Sequence, residues 1–119
     1  MKALFSYDKL KEKWRREEAM RKRRSKAMRA AIVTKGRPIF TKFGVRKVCL
    51  FGSVLSEKAG ETSDIDILVI PLPNDQFWGF RHELEQAVSY PIDLYSQDDN
   101  PEFTEKILNR GEIIYEIQS

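Results

Sequence analysis

The sequence contains one cysteine, Cys49, and one histidine, His82. A single thiol excludes a disulfide framework and any cysteine-based zinc site. A single imidazole excludes multi-histidine metal centres and leaves little room for a Ser-His-Asp triad. No apolar run exceeds four residues, as at Ile67–Ile70, far short of the ~20 that a membrane-spanning helix needs. The N-terminus is rich in Lys, Arg and Glu and shows no secretory apolar stretch, so the cytosol is the expected compartment. Glycine and proline are missing from residues 8–34. What is present is length and charge. The 119 residues amount to one domain, able to bury roughly two thirds of its unfolded surface without a covalent staple. The net charge of +3 conceals a split. Residues 1–50 hold 17 Lys and Arg against 4 Asp and Glu, a net +13, and residues 51–119 hold 4 against 14, a net −10.

The pattern predicts one helix over 8–34, with Asp8 as N-cap and Gly36 as C-cap. Between Arg15 and Lys26 only Ala19 and Met20 are apolar, so that stretch has no core-facing stripe and projects into solvent or onto a partner. Apolar residues return at Ala27, Met28, Ala31 and Ile32, where the last turns can dock. Residues 1–35 are therefore set apart as a basic arm and 36–119 as a core. Pro38 opens a short helix over 37–43. Strands are expected at Val45–Phe51, Asp64–Ile70, Ile92–Tyr95 and Ile113–Ile117. Ser56–Ser63 reads as a turn. Helices are expected over 75–89, with Asn74 as cap and Phe77, Phe80, Leu84, Ala87 and Val88 on one face, and from Pro101 to Asn109, ended by Gly111. This is an α/β fold with a small mixed sheet flanked by helices.

Three acids stand out by position. Asp64 and Asp66, two apart at the head of a strand, point to one face. Asp93 interrupts the apolar run of another strand, where a carboxylate needs ionic partners. Three neighbouring carboxylates raise one another's pKa unless a divalent cation lies among them. With oxygen ligands only, Mg²⁺ or Mn²⁺ fits better than Zn²⁺, and such a magnesium usually also holds substrate phosphates. Gly52-Ser53 at a strand end offers backbone N–H groups and a hydroxyl to a phosphate. Alone, a Gly-Ser turn or an Asp-x-Asp pair is usually structural. Together, with ten residues between Ser53 and Asp64 and a third Asp further on, they describe metal-assisted nucleotidyl transfer.

Leu50-Phe51-Gly52-Ser53, that gap, and Ser63-Asp64-Ile65-Asp66 resemble the signature of the minimal nucleotidyltransferases (MNT) of the polymerase-beta-like superfamily. Phe43-Gly44-Val45, Pro91-Ile92-Asp93-Leu94 and Gly111-Glu112-Ile113-Ile114-Tyr115 resemble the family's flanking segments, so the likeness covers about residues 36–119. The resemblance implies that Gly52 and Ser53 hold the phosphates of ATP. It also implies that Asp64, Asp66 and Asp93 form a two-metal Mg²⁺ site, and that Asp93 helps deprotonate the acceptor hydroxyl. It further implies an antitoxin whose partner is an all-helical HEPN toxin, neutralised by AMP transfer to a tyrosine. Where relatives commonly continue with x-Ala-Arg-Gly, this chain has Val54-Leu55-Ser56-Glu57. A cation is thereby lost near the triphosphate, and Lys58 is the candidate substitute. A chain with weakened chemistry would act instead as a binding module that captures its partner sterically.

Other features read as structural. His82 is a partly exposed structural histidine, Cys49 a small buried hydrophobe, and Trp78 a residue of the core rim rather than an adenine platform. Asp98 and Asp99 are expected to cap the last helix rather than bind metal. The basic run lacks interleaved aromatics after Trp14 and is broken by Glu17 and Glu18, which favours a solvated or protein-facing helix over a nucleic-acid surface. Its exposure leaves self-association open.

Overall fold

The computed structural model describes residues 7–118. Uninterrupted helix formers from Tyr7 to Lys35 give α1, 29 residues long. At 1.5 Å per residue it extends about 43 Å, and it gives the molecule a 69 Å long axis against 30 and 24 Å across. Asp8 lies inside its first turn, where a carboxylate favours the helix dipole, instead of at the cap. Ser25, Met28 and Ile32 are the buried residues of α1. They share one face of its last turns, while Trp14 and Met20 stay exposed.

Gly36 does not cap α1 in the left-handed conformation, since its φ of −76° and ψ of −26° are right-handed. A side chain there would instead strike the carbonyl oxygen of Ile32 and the ring of Phe40. Glycine is needed because α1 turns so tightly into α2, Arg37–Lys42, with Pro38 in the first turn.

Four strands follow: β1 Lys47–Phe51, β2 Ile65–Ile70, β3 Ile92–Ser96 and β4 Glu112–Glu116. They lie in the order β3-β2-β1-β4. β1 is antiparallel to both β2 and β4, and β2 is parallel to β3, so the sheet is mixed, as expected. A parallel pair needs a crossover, supplied here by α4, Phe77–Val88. A single 3-10 turn, Asn74–Gln76, precedes α4 with Pro73 at its cap position, and no side chain caps it. Two further helices complete the chain: α3, Gly52–Leu55, directly after β1, and α5, Pro101–Arg110.

Period-two alternation sorts the strand residues onto two faces. Val48, Leu50, Ile65, Ile67, Val69, Ile92 and Leu94 join Met28, Ile32, Phe40, Phe80, Leu84 and Val88 in the main core, beneath α1, α2 and α4. Burying a side chain such as Phe80 removes it wholly from water and contributes about 2–3 kcal/mol. On the other face, Cys49 and Leu68 meet Ile107 of α5, with Phe51, Ile70 and Tyr95 packed around them. The Cys49 thiol donates to the Ile107 carbonyl oxygen at 3.4 Å, and burial pushes its pKa up, as befits a structural thiol. Gly111 ends α5 with an extended backbone. A Cβ there would lie 2.5 Å from the Cys49 sulfur and 2.7 Å from the Leu50 carbonyl oxygen, so this glycine serves close packing.

Two capping expectations are corrected on the way into α5. Asn100 is its N-cap, accepting from the backbone N–H groups of Glu102 at 2.9 Å and Phe103 at 3.3 Å. Asp99 turns back to accept from the Ser96 N–H at 2.8 Å, and Asp98 accepts from the Gln97 amide at 3.3 Å. Trp78 is not core rim: it is 69% exposed, edge-on to Phe77 with the Arg81 guanidinium over its ring. His82 is exposed on α4. Among the described residues no helix is long and apolar enough to cross a membrane.

Candidate active site

α5 covers only part of its face of the sheet, and the rest carries acids. Pairing sets Phe51 of β1 beside Asp66 of β2, and Asp66 beside Asp93 of β3. Asp66 is thus central. On its β1 side the chain leaves the strand at Gly52 with φ +76°, a left-handed conformation that disfavours any side chain. The space a Cβ would fill there is taken by the carboxylate of Asp66. Backbone and carboxylate touch because residue 52 is glycine.

On its β3 side, Asp66 shares a hydrogen bond with Asp93. Burial, that bond, and the charges of Asp93 and Asp64 together push the Asp66 carboxyl up to about 7. Asp93 also accepts from the phenol of Tyr95 at 2.9 Å. Burial and the bond to Asp93 push that phenol up to about 12. Asp64 lies just outside β2, exposed at the mouth of the site, and acts on Asp66 through its charge.

Ser53 follows Gly52 in the first turn of α3, where opening N–H groups have no intrahelical partner. Its carbonyl oxygen accepts from the Lys58 N–H at 2.8 Å and from the Ser56 hydroxyl at 3.3 Å. Ser56 thus closes the turn, and Glu57, at φ 63°, reverses the chain. The Ala59 N–H then donates to the buried Ser25 hydroxyl of α1 at 2.9 Å, which fastens the arm behind the Gly-Ser turn. Lys58 lines a groove with Arg21 and Lys22 of α1 and with Ser56 and Glu57.

The strand bearing Asp93 is held at both ends. The N–H of Ile92 donates to Glu85 at 2.8 Å, and its carbonyl oxygen accepts from Arg81 at 3.0 Å. At the far end Gln97 makes paired bonds to the backbone of Leu72, at 2.9 and 2.8 Å.

The five residues singled out from the sequence therefore divide. Gly52, Ser53, Asp66 and Asp93 converge, with Asp66 touching both Gly52 and Asp93, while Asp64 stands at the edge. Among the described residues no three acids, histidines or cysteines form a ready cation cage. The pair nonetheless fits magnesium, which takes one or two carboxylates and completes its shell with water and phosphate oxygens. Burial and the neighbouring acids disfavour the ionised form of Asp66, and such an ion would offset both. The sequence reading passed over Tyr95, although period-two alternation places it on the same face as Asp93.

The family described as Polymerase beta, Nucleotidyltransferase matches residues 35–119. A relative from Methanocaldococcus jannaschii, named protein adenylyltransferase MJ0435, is 33% identical over 78 residues, covering 62% of this chain and 84% of the relative. A crystal structure of a toxin-antitoxin with AMP-PNP shares the fold at 22% identity and a TM-score of 0.63, over 72% of this chain and 74% of its own. The MntA-HepT toxin-antitoxin structure does so at 21% identity and a TM-score of 0.55, over 72% and 71%. With that family's model matched over residues 35–119, the chain belongs to the polymerase-beta nucleotidyltransferase family.

Proposed function

We propose that this nucleotidyltransferase moves AMP from ATP to a tyrosine hydroxyl of a HEPN-type partner and so acts as the antitoxin of a toxin-antitoxin pair. The observation that carries the reading is the contact of Asp66 with both the Gly52 backbone and Asp93. The adenylyltransferase relative supports the AMP donor, and the toxin-antitoxin neighbours share the fold.

In this reading Gly52 and Ser53 bind the β and γ phosphates through backbone N–H groups and the hydroxyl. Asp66 and Asp93, with Asp64 at the mouth, would hold Mg²⁺, which when bound neutralises phosphate charge. Asp93 takes the proton of the acceptor hydroxyl as its oxygen bonds to the α-phosphorus. The bond from that phosphorus to the bridging oxygen breaks, pyrophosphate leaves, and AMP stays on the acceptor. Co-expression with the partner should give a partner heavier by one AMP unit by mass spectrometry. Asp64→Asn with Asp66→Asn should abolish the shift, and a double variant that labels as well as wild type overturns the assignment.

The Ser56–Glu57 turn favours a second reading. It carries no cation, and Ser56 spends its hydroxyl on Ser53. A chain that binds its partner tightly but shows no ATP·Mg²⁺ binding by calorimetry would be a capture module. Detectable nucleotide binding favours the enzyme.

A further inference from the structure

We infer that Tyr95 is a positioning residue for the transfer, fixing the carboxylate of Asp93. The inference rests on the reading of Asp93 given above. Asp93 lies on β3, an edge strand, and an acid there needs something to set its orientation. Its neighbour in register is a second acid, Asp66 of β2, which offers no hydrogen-bond donor when ionised. The Tyr95 phenol, donating to Asp93 Oδ2 at 2.9 Å, supplies a neutral donor that occupies one oxygen. The remaining lone pairs stay turned to Asp66 and to whatever enters the site.

The phenol is itself held. The Tyr95 ring stands 5.4 Å from Phe51 and 5.2 Å from Phe103, and those two rings are 6.1 Å apart at 84°. Three tilted rings form a wedge, so the hydroxyl cannot swing away without displacing an aromatic neighbour. Phe51 immediately precedes Gly52. The same wedge thus connects the strand end that bears the phosphate turn to the carboxylate two residues before Tyr95 in β3.

A phenol so near the proton acceptor could instead be an acceptor of AMP in its own right. The bond to Asp93 argues against that role, because the hydroxyl already has a fixed partner and its ring is held between Phe51 and Phe103. Tyr95→Phe removes one oxygen and keeps the wedge. Loss of a hydrogen bond that orients a ligating carboxylate costs about 10- to 100-fold in activity or metal affinity.

The test uses the full chain with its partner. Tyr95→Phe is expected to lower kcat about tenfold or more with little change in the KM for ATP. It should also weaken Mn²⁺ binding, read by electron paramagnetic resonance with a non-hydrolysable ATP analogue, by about tenfold. Phe103→Leu loosens the wedge and keeps the phenol, and should lower kcat less. Combining the two should be no slower than Tyr95→Phe alone, since both act through one bond. Unchanged kcat and unchanged Mn²⁺ affinity in Tyr95→Phe overturn the inference, as does AMP found on Tyr95 of the wild-type chain. A wild-type chain that neither transfers AMP nor binds Mn²⁺ with nucleotide removes the reading of the site, and this role with it.

Discussion

Asp66 sits against Asp93 on one side and the Gly52 backbone on the other, so ionising it works against the fold. Its carboxyl titrates near 7 in the folded chain, above the ~3.9 of an unfolded aspartate. A raised folded pKa means that stability is fully present below about pH 4 and is lost as the pH rises through about 7. Half-burial and solvent screening trim the cost to about 1–2 kcal/mol. Asp66→Asn should therefore abolish transfer and yet raise the metal-free melting temperature at pH 8 by roughly 5 °C, with little difference from wild type at about pH 4. Thermal unfolding at the two pH values checks this, and a destabilised variant at pH 8 would contradict it. Gly52→Ala does the opposite. It forces a side chain into a φ of +76° and onto the Asp66 carboxylate, so a loss of about 1–3 kcal/mol is expected, together with nucleotide binding. The sequence announced both residues, because a Gly-Ser turn and an acid pair are chemical patterns readable along the chain. The bond from Tyr95 to Asp93 was within reach of the same logic, but the aromatic wedge around it depends on α5 folding back over β1, which no local spacing encodes.

At the scale of elements, the docking of α1 rests on few residues. Ile32 is completely buried among the core residues, and Met28 nearly so. Ile32→Ala should cost about 2–4 kcal/mol, whereas Trp14→Ala, on the exposed part of the same helix, should stay within about 0.5 kcal/mol. Chemical denaturation resolves that difference. The hydrophobic period predicted this split along α1, and it predicted every strand to within two residues at either end. Caps were read less well. Ser, Asn and Asp compete for the same turn positions, and tertiary contacts decide the winner: Asp99 is drawn to the Ser96 N–H, leaving α5 to Asn100. Asn100→Ala should accordingly cost about 1 kcal/mol, measurable by the same denaturation. Gly36 and Gly111 stop or turn helices where the sequence says so, but each is required by close packing against a neighbour instead of by a left-handed backbone.

Over the whole molecule the charge split becomes spatial. The acidic half carries the paired carboxylates of the proposed site, and the basic half is mostly α1, anchored at its end by Ser25, Met28, Ile32 and the Arg29–Glu112 ion pair. Exposed cations such as Arg16 and Arg23 lie on the far side of α1 from that anchor, so they act on whatever approaches from outside. A protein partner and a polynucleotide respond differently to their loss. Neutralising 6–10 phosphates costs about 10³–10⁵-fold in affinity between 50 and 200 mM salt. A protein partner steered by the same charges loses mainly association rate. Arg16→Glu with Arg23→Glu should leave the melting temperature unchanged, because surface substitutions stay within about 0.5 kcal/mol. It should slow capture of the partner about tenfold at low salt and leave the dissociation rate intact. Stopped-flow binding at two salt concentrations reads both rates. A variant that associates as fast as wild type would remove the arm from partner capture, and a wild-type salt slope matching several released counterions, measured with single-stranded RNA, would assign the arm to nucleic acid instead.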